Sequence, residues 1–146
     1  MASIRRAVEL QPDYREAHYN LAHALSTADE PHAAVREFRE ALRLQADWPE
    51  ALRDLALLLA TYPDAGVRDP AEALRLASRA ADLSGQTDPF ILYALAAAYA
   101  AGGRFEEAIA TAEQAESLAT DGAPDLAESI RERLSLYRTD RALEVP

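Results

Sequence analysis

One phrase recurs three times along this chain and restricts what it can become. Leu21-Ala22, Leu55-Ala56 and Leu95-Ala96 each fall early in a short apolar stretch with helical spacing. Each stretch is answered downstream by a second spine: Ala34/Phe38/Ala41/Leu44, Ala73/Ala77/Ala80/Leu83 and Ala108/Ala112/Ala115/Leu118. Apolar residues fall at offsets of three and four, as in Leu74, Ala77 and Ala81, and nowhere do they alternate with period two, so the chain reads as all α. A helical pair repeated at a near-fixed interval predicts a solenoid, in which each pair buries its apolar stripe against the next.

The starts of the helices are marked by acids. Asp13 and Asp47 each stand three residues before a glutamate, Glu16 and Glu50, which predicts capping boxes with aspartate as the cap. Asp69-Pro70 and Asp88-Pro89 place proline at the first helical position, where its missing N–H costs nothing. These signals predict helices over residues 2–11, 15–28, 31–45, 49–61, 70–84, 89–101, 104–119 and 124–138, with a frayed tail from Thr139 to Pro146. Alanines such as Ala22, Ala34 and Ala41 let paired helices approach closely, while Leu21, Leu25, Phe38 and Leu44 fill the space around them.

Composition narrows the chemistry. With 146 residues, almost half of them apolar, the chain can bury a core as one domain, and without cysteine it has no disulfide, thiolate or redox chemistry. A net charge of −10 opposes general affinity for nucleic acid or anionic lipid. No stretch approaches the roughly 20 apolar residues of a membrane span, and no apolar run follows Arg5-Arg6, so the expectation is a cytoplasmic location. All the basic residues other than histidine are arginine.

Catalytic signals are missing from the pattern. Gly102-Gly103 is a helix-ending turn without the strand and spacing of a phosphate loop. His18, His23 and His32 lack metal-ligand spacing, since residues five apart do not share a helix face; His18 reads as a packing residue and His32 as the start of a surface helix. The expectation is therefore no enzyme, no metal and no cofactor.

The run from Leu92 to Ala108, with Leu95-Ala96, Tyr99 and Gly103-Arg104-Phe105-Glu106-Glu107-Ala108, resembles the tetratricopeptide repeat family. Arg15 to Trp48 is similar, with His18, Leu21, Ala22, Leu25, Ala34, Phe38 and Ala41 in place, but Asp29-Glu30-Pro31 replaces the usual Gly-x-aromatic turn and Ala46 the usual proline. The middle unit, Pro49 to Asp88, carries about five extra residues around Tyr62–Asp69, an insertion of the kind that maps to one face of a solenoid. The resulting division is a half repeat over 1–14, repeats over 15–48, 49–88 and 89–121, and a capping helix over 122–138 with its amphipathic stripe Leu126, Ile130, Leu134 and Tyr137. The half repeat and the wording of the middle unit resemble the C-terminal part of a longer bacterial array, which is the expected origin of the chain.

The resemblance implies a right-handed superhelix whose first helices line a concave groove, and a non-catalytic scaffold that binds a protein or peptide there. The groove residues it implies are Glu16, Tyr19, Asn20, His23 and Thr27, then Glu50, Arg53, Asp54 and Leu57, then Phe90, Tyr93, Ala97 and Ala101. Tyr19, Phe90 and Tyr93 are the expected anchors, because aromatics give large contact area at little entropic cost. One branch of the family clamps a terminal carboxylate with lysines and asparagines; Tyr19, His23, Arg53 and Asp54 stand at those places here and supply a single fixed cation. A peptide with apolar and basic residues suits Glu16, Glu50 and Asp54 better. Two alternatives stand beside this reading: self-association as a homodimer through Ile4, Ala7 and Val8 of the half repeat, and a regulatory or targeting appendage of an enzyme in a longer parent protein.

Overall fold

A computed structural model of the chain describes residues 4–6 and 14–144. Seven helices follow one another there: α1 (Arg15–Thr27), α2 (Pro31–Leu44), α3 (Pro49–Thr61), α4 (Pro70–Leu83), α5 (Pro89–Ala101), α6 (Phe105–Ala119) and α7 (Pro124–Glu144). The described residues contain no strand. The helices pair as hairpins α1/α2, α3/α4 and α5/α6, stack in chain order, and are closed by α7 against α6. Residues 4–6 are helical, whereas Ala7, Val8 and Asp13 lie outside the described residues.

Alanine makes this stacking possible. Ala22, Ala34, Ala56, Ala73, Ala80 and Ala98 are all sealed at the helix contacts, where a larger side chain would hold the axes apart. Phe38, Leu55, Leu59, Ile91, Leu92 and Ile130 fill the gaps between them. One core runs from Ala22 and Phe38 through to Tyr137 of α7. A smaller cluster of Leu21, Leu25 and Ala34 sits at the first hairpin, and Ile4 packs on it. Ile4, half-buried, is thus joined to the first hairpin.

The caps separate two kinds of acidic start. Asp69 and Asp88 cap α4 and α5, accepting from Glu72 N–H at 3.2 Å and Phe90 N–H at 2.9 Å. Asp47 does not cap α3, because Trp48 holds the N-cap position; its carboxylate instead accepts from Arg79. Helices α1, α4 and α5 end alike, with an N–H reaching back five residues: Glu30 to Leu25, Gln86 to Ala81 and Arg104 to Tyr99. That turn needs a left-handed residue before the donor, supplied by Gly85, Gly103 and, in the first hairpin, Asp29 at φ 60°. Asp29 is held there by the Tyr62 hydroxyl of the next repeat, which donates to its Oδ1.

The inserted segment is fastened at both ends. Val67 is buried, Val67 and Arg68 donate to the Asp64 carbonyl at 3.0 and 3.1 Å, and Asp69 N–H donates to Leu59 O at 2.9 Å. At the C-terminus α7 continues to Glu144, past the expected end at residue 138. No glycine or proline interrupts the helix before Pro146, and Arg138 pairs with Glu113 of α6 at 3.3 Å.

Candidate functional site

The first helices of the hairpins place their side chains on one face, and its polar centre is Asp54. Tyr19 and His23 lie one turn apart on α1, so both reach the same point on α3. The Tyr19 hydroxyl donates to Asp54 Oδ2 at 2.6 Å, and His23 Nε2 lies 2.8 Å from that oxygen. Arg53 Nε–H donates to Oδ1 at 2.9 Å. A carboxylate with three donors has little need of another cation, so Asp54 is committed to joining two repeats. Burial and then the Asp54 hydrogen bond push the Tyr19 hydroxyl well above its ordinary range and keep it neutral. Burial works against the charge on Arg53, but the hydrogen bond and negative charge of Asp54 outweigh it and raise the guanidinium further.

Rings surround this network. Tyr19 meets the His23 ring edge-on at 4.7 Å and the Trp48 ring at 4.7 Å with a 30° tilt, while Phe38 stands 6.0 Å away. The sequence pattern does not reveal Trp48 as part of this face. It is the only tryptophan, and its place just before Pro49 was the one available signal.

Two clefts open along the face. The first, about 240 Å³, runs beneath His23 and Asp54 and is walled by Phe38, Leu57, Leu58 and Thr61. The second, about 310 Å³, is walled by Thr61, Ala97 and Ala101 on one side and by Arg133, Tyr137 and Asp140 of α7 on the other, with Arg68 at its border. Thr61 lines both, so the two clefts are neighbours at the end of α3. Burial pushes the Tyr137 hydroxyl up to about 12, and it has no hydrogen-bond partner among the described residues.

The expected groove residues are distributed unevenly over this surface. Tyr19, His23, Arg53, Asp54 and Leu57 come together at the first cleft. Glu16 pairs with its neighbour Arg15 at 3.4 Å, while Asn20 and Glu50 are exposed. Thr27 turns its hydroxyl back onto the His23 carbonyl at 3.1 Å. Tyr93 is half-buried against the core, and Ala97 and Ala101 both wall the second cleft, Ala97 with only 3% of its surface exposed. Phe90 is set apart, lining a separate cleft with Ala123, Pro124 and Leu126. His18 is buried, with Nδ1 2.6 Å from Glu37 Oε2. Among the described residues no three His, Asp or Glu side chains are grouped so as to hold a metal ion, and no helix is long and apolar enough to cross a membrane.

The tetratricopeptide repeat family model matches residues 16–47 and 91–121, the first and third hairpins. The chain carries tetratricopeptide repeats. The hairpin between the matched segments is the one with the insertion, and its helices stack in the same way. Solved structures share the all-helical solenoid. A T3SS complex from Aeromonas hydrophila aligns at a TM-score of 0.73 and 17% identity, over 97% of this chain and 91% of that one. The type III secretion translocator chaperone SycD of Yersinia enterocolitica aligns at 0.72 and 16%, over 90% and 88%. MamA from Desulfovibrio magneticus RS-1 aligns at 0.70 and 15%, over 98% and 84%. No curated protein matches the sequence.

Proposed function

We propose that this chain is a non-catalytic scaffold that binds an extended segment of a partner protein along the face formed by α1, α3 and α5. The observation that carries this reading is the pair of neighbouring clefts that share Thr61. A bound strand rises about 3.3 Å per residue, so a few residues span two neighbouring clefts and can place a side chain in each. The first cleft suits an apolar side chain, because Phe38, Leu57 and Leu58 wall it and the polar group at its rim, Asp54, already has its donors. Basic residues of the partner fall to Glu50 and Glu16 at the margin rather than to Asp54.

The His23–Asp54 pair looks like part of a hydrolytic triad, yet among the described residues no hydroxyl is hydrogen-bonded to the other ring nitrogen of His23. Here the pair ties one repeat to the next. Two of the solved neighbours bear names that fit a protein-binding role, a secretion chaperone and a secretion complex.

The test is selection of random dodecapeptides on the wild-type chain, followed by titration against Thr61→Arg. Thr61 ends α3 and is only half-buried, so the arginine suits the helix end while filling the junction of both clefts. Selected peptides should carry an apolar anchor and lose at least about tenfold in affinity, the equivalent of ~1.4 kcal/mol. Peptides that bind Thr61→Arg as tightly as wild type place the binding surface elsewhere and overturn the proposal.

A further inference from the structure

The inserted segment encloses a second kind of site, on the side of the second helices. His32, Arg36 and Arg39 follow one another on α2 at spacings of four and three, which makes them one stripe. Facing them, Gly66, Val67, Arg68 and Asp69 close a cleft of about 310 Å³, with Leu59 in its lining. The segment lies close against α2: a Cβ placed on Gly66 would stand 3.9 Å from the His32 ring. Gly66 N–H donates to Asp64 Oδ1 at 2.8 Å, and this bond joins the backbone ties at Val67, Arg68 and Asp69. Arg68 therefore projects from a fixed frame.

The charges of this cleft do not balance. Arg36, Arg39 and Arg68 form no ion pair with any described residue. The single carboxylate in the lining, Asp69, already caps α4. The adjoining cleft, which Arg39 also borders, is built differently. There Arg43, Arg75 and Arg79 are matched by Glu40, Glu72 and Asp47. In a chain of net charge −10, three unmatched guanidiniums around one cavity leave a local demand for negative charge. Guanidinium forks match oxyanions in charge and shape, and three of them suit a dianion better than a single carboxylate.

We propose that this cleft is an oxyanion site for a phosphate group, free or as a monoester, held by Arg36, Arg39 and Arg68. The experiment is amide NMR of the whole chain titrated with inorganic phosphate, against sodium chloride at matched ionic strength. Saturable shifts at Gly66, Val67, Arg68 and along residues 35–39 are expected. Binding should weaken about tenfold or more in the Arg36→Gln/Arg39→Gln double variant. It should persist in Arg79→Gln, whose arginine belongs to the balanced neighbouring cleft. A phosphoserine peptide that binds more tightly than inorganic phosphate assigns the site to a phosphorylated segment, and equal affinity assigns it to free phosphate; either upholds it. Shifts no larger than those from chloride, or saturable binding retained by the double variant, overturn it. If circular dichroism shows that the double variant has lost helix, Arg68→Gln decides: lost binding upholds the site and retained binding overturns it.

Discussion

Two tyrosines, Tyr19 half-buried and Tyr137 buried, show how much one partner decides. The Tyr19 hydroxyl has Asp54 to donate to, whereas the Tyr137 hydroxyl is buried with no acceptor among the described residues. An unsatisfied buried polar group costs about 1–3 kcal/mol, so Tyr137→Phe should raise stability by about 1 kcal/mol at neutral pH in urea unfolding. A fall of similar size would show that an acceptor is present after all. The alkaline limb gives a second reading. Burial lifts Tyr137 from an ordinary 10.0 to about 12, so its neutral form is favoured in the folded chain. Below pH 10 both states carry the proton and nothing is lost. Between 10 and about 12 the unfolded chain releases the proton while the folded chain keeps it, and stability declines by up to ~1.4 kcal/mol per pH unit for this group. Tyr137→Phe should remove that part of the decline and leave the part due to Tyr19. The sequence discloses these residues to different degrees. Tyr19, His23 and Asp54 could be placed on one face because the repeat resemblance aligns the first helices of neighbouring hairpins. The stacking of Trp48 on Tyr19 could not, because it depends on where the next helix enters.

Helix starts that look alike in sequence separate by geometry. Asp69 accepts from Glu72 N–H and is a working N-cap, while Asp47 stands one residue too early and pairs with Arg79 across the surface. Losing an N-cap costs about 1 kcal/mol, whereas an exposed ion pair contributes 0–1 kcal/mol and often nothing measurable. Asp69→Ala should therefore lower the urea midpoint clearly and Asp47→Ala hardly at all; equal effects would refute the distinction. Most element boundaries were legible because prolines and acids mark them, as at Pro49, Pro70 and Pro89. The end of α7 was not, since no breaker stops the helix where its apolar stripe thins after Tyr137. The Asp29 turn was legible as a departure from the repeat pattern. Its conformation was hidden, because the stabilising Tyr62 hydroxyl comes from 33 residues downstream.

The architecture as a whole was legible because a solenoid is assembled from neighbour contacts, and the periodicity that forms each helix also presents the stripe that meets the next. The meeting of the two clefts at Thr61 was not, since it depends on how α7 lies over α5. The same neighbour logic makes stability uneven along the chain. Much of the first hairpin's apolar surface, Leu21, Leu25 and Ala34, forms a separate cluster that meets the next hairpin through Leu58. The main core instead ties α3, α4, α5, α6 and α7 together. Opening α1 and α2 removes Ala22 and Phe38 from the main core, and Tyr19, Val35 and Leu42 from its edge, while the rest of that core stays together, so such a unit should open below the global unfolding free energy. In native-state hydrogen exchange at low urea, amides of α1 and α2 should exchange through one sub-global opening, ahead of those in α5 and α6. Leu25→Ala should lower the free energy of that opening by about 2–5 kcal/mol, the usual range for a buried leucine, and leave α5 and α6 unchanged. If Leu25→Ala lowers protection equally in all seven helices, the chain unfolds as a single unit. The Asp54 network between the first two hairpins would then couple them more strongly than their apolar contacts do.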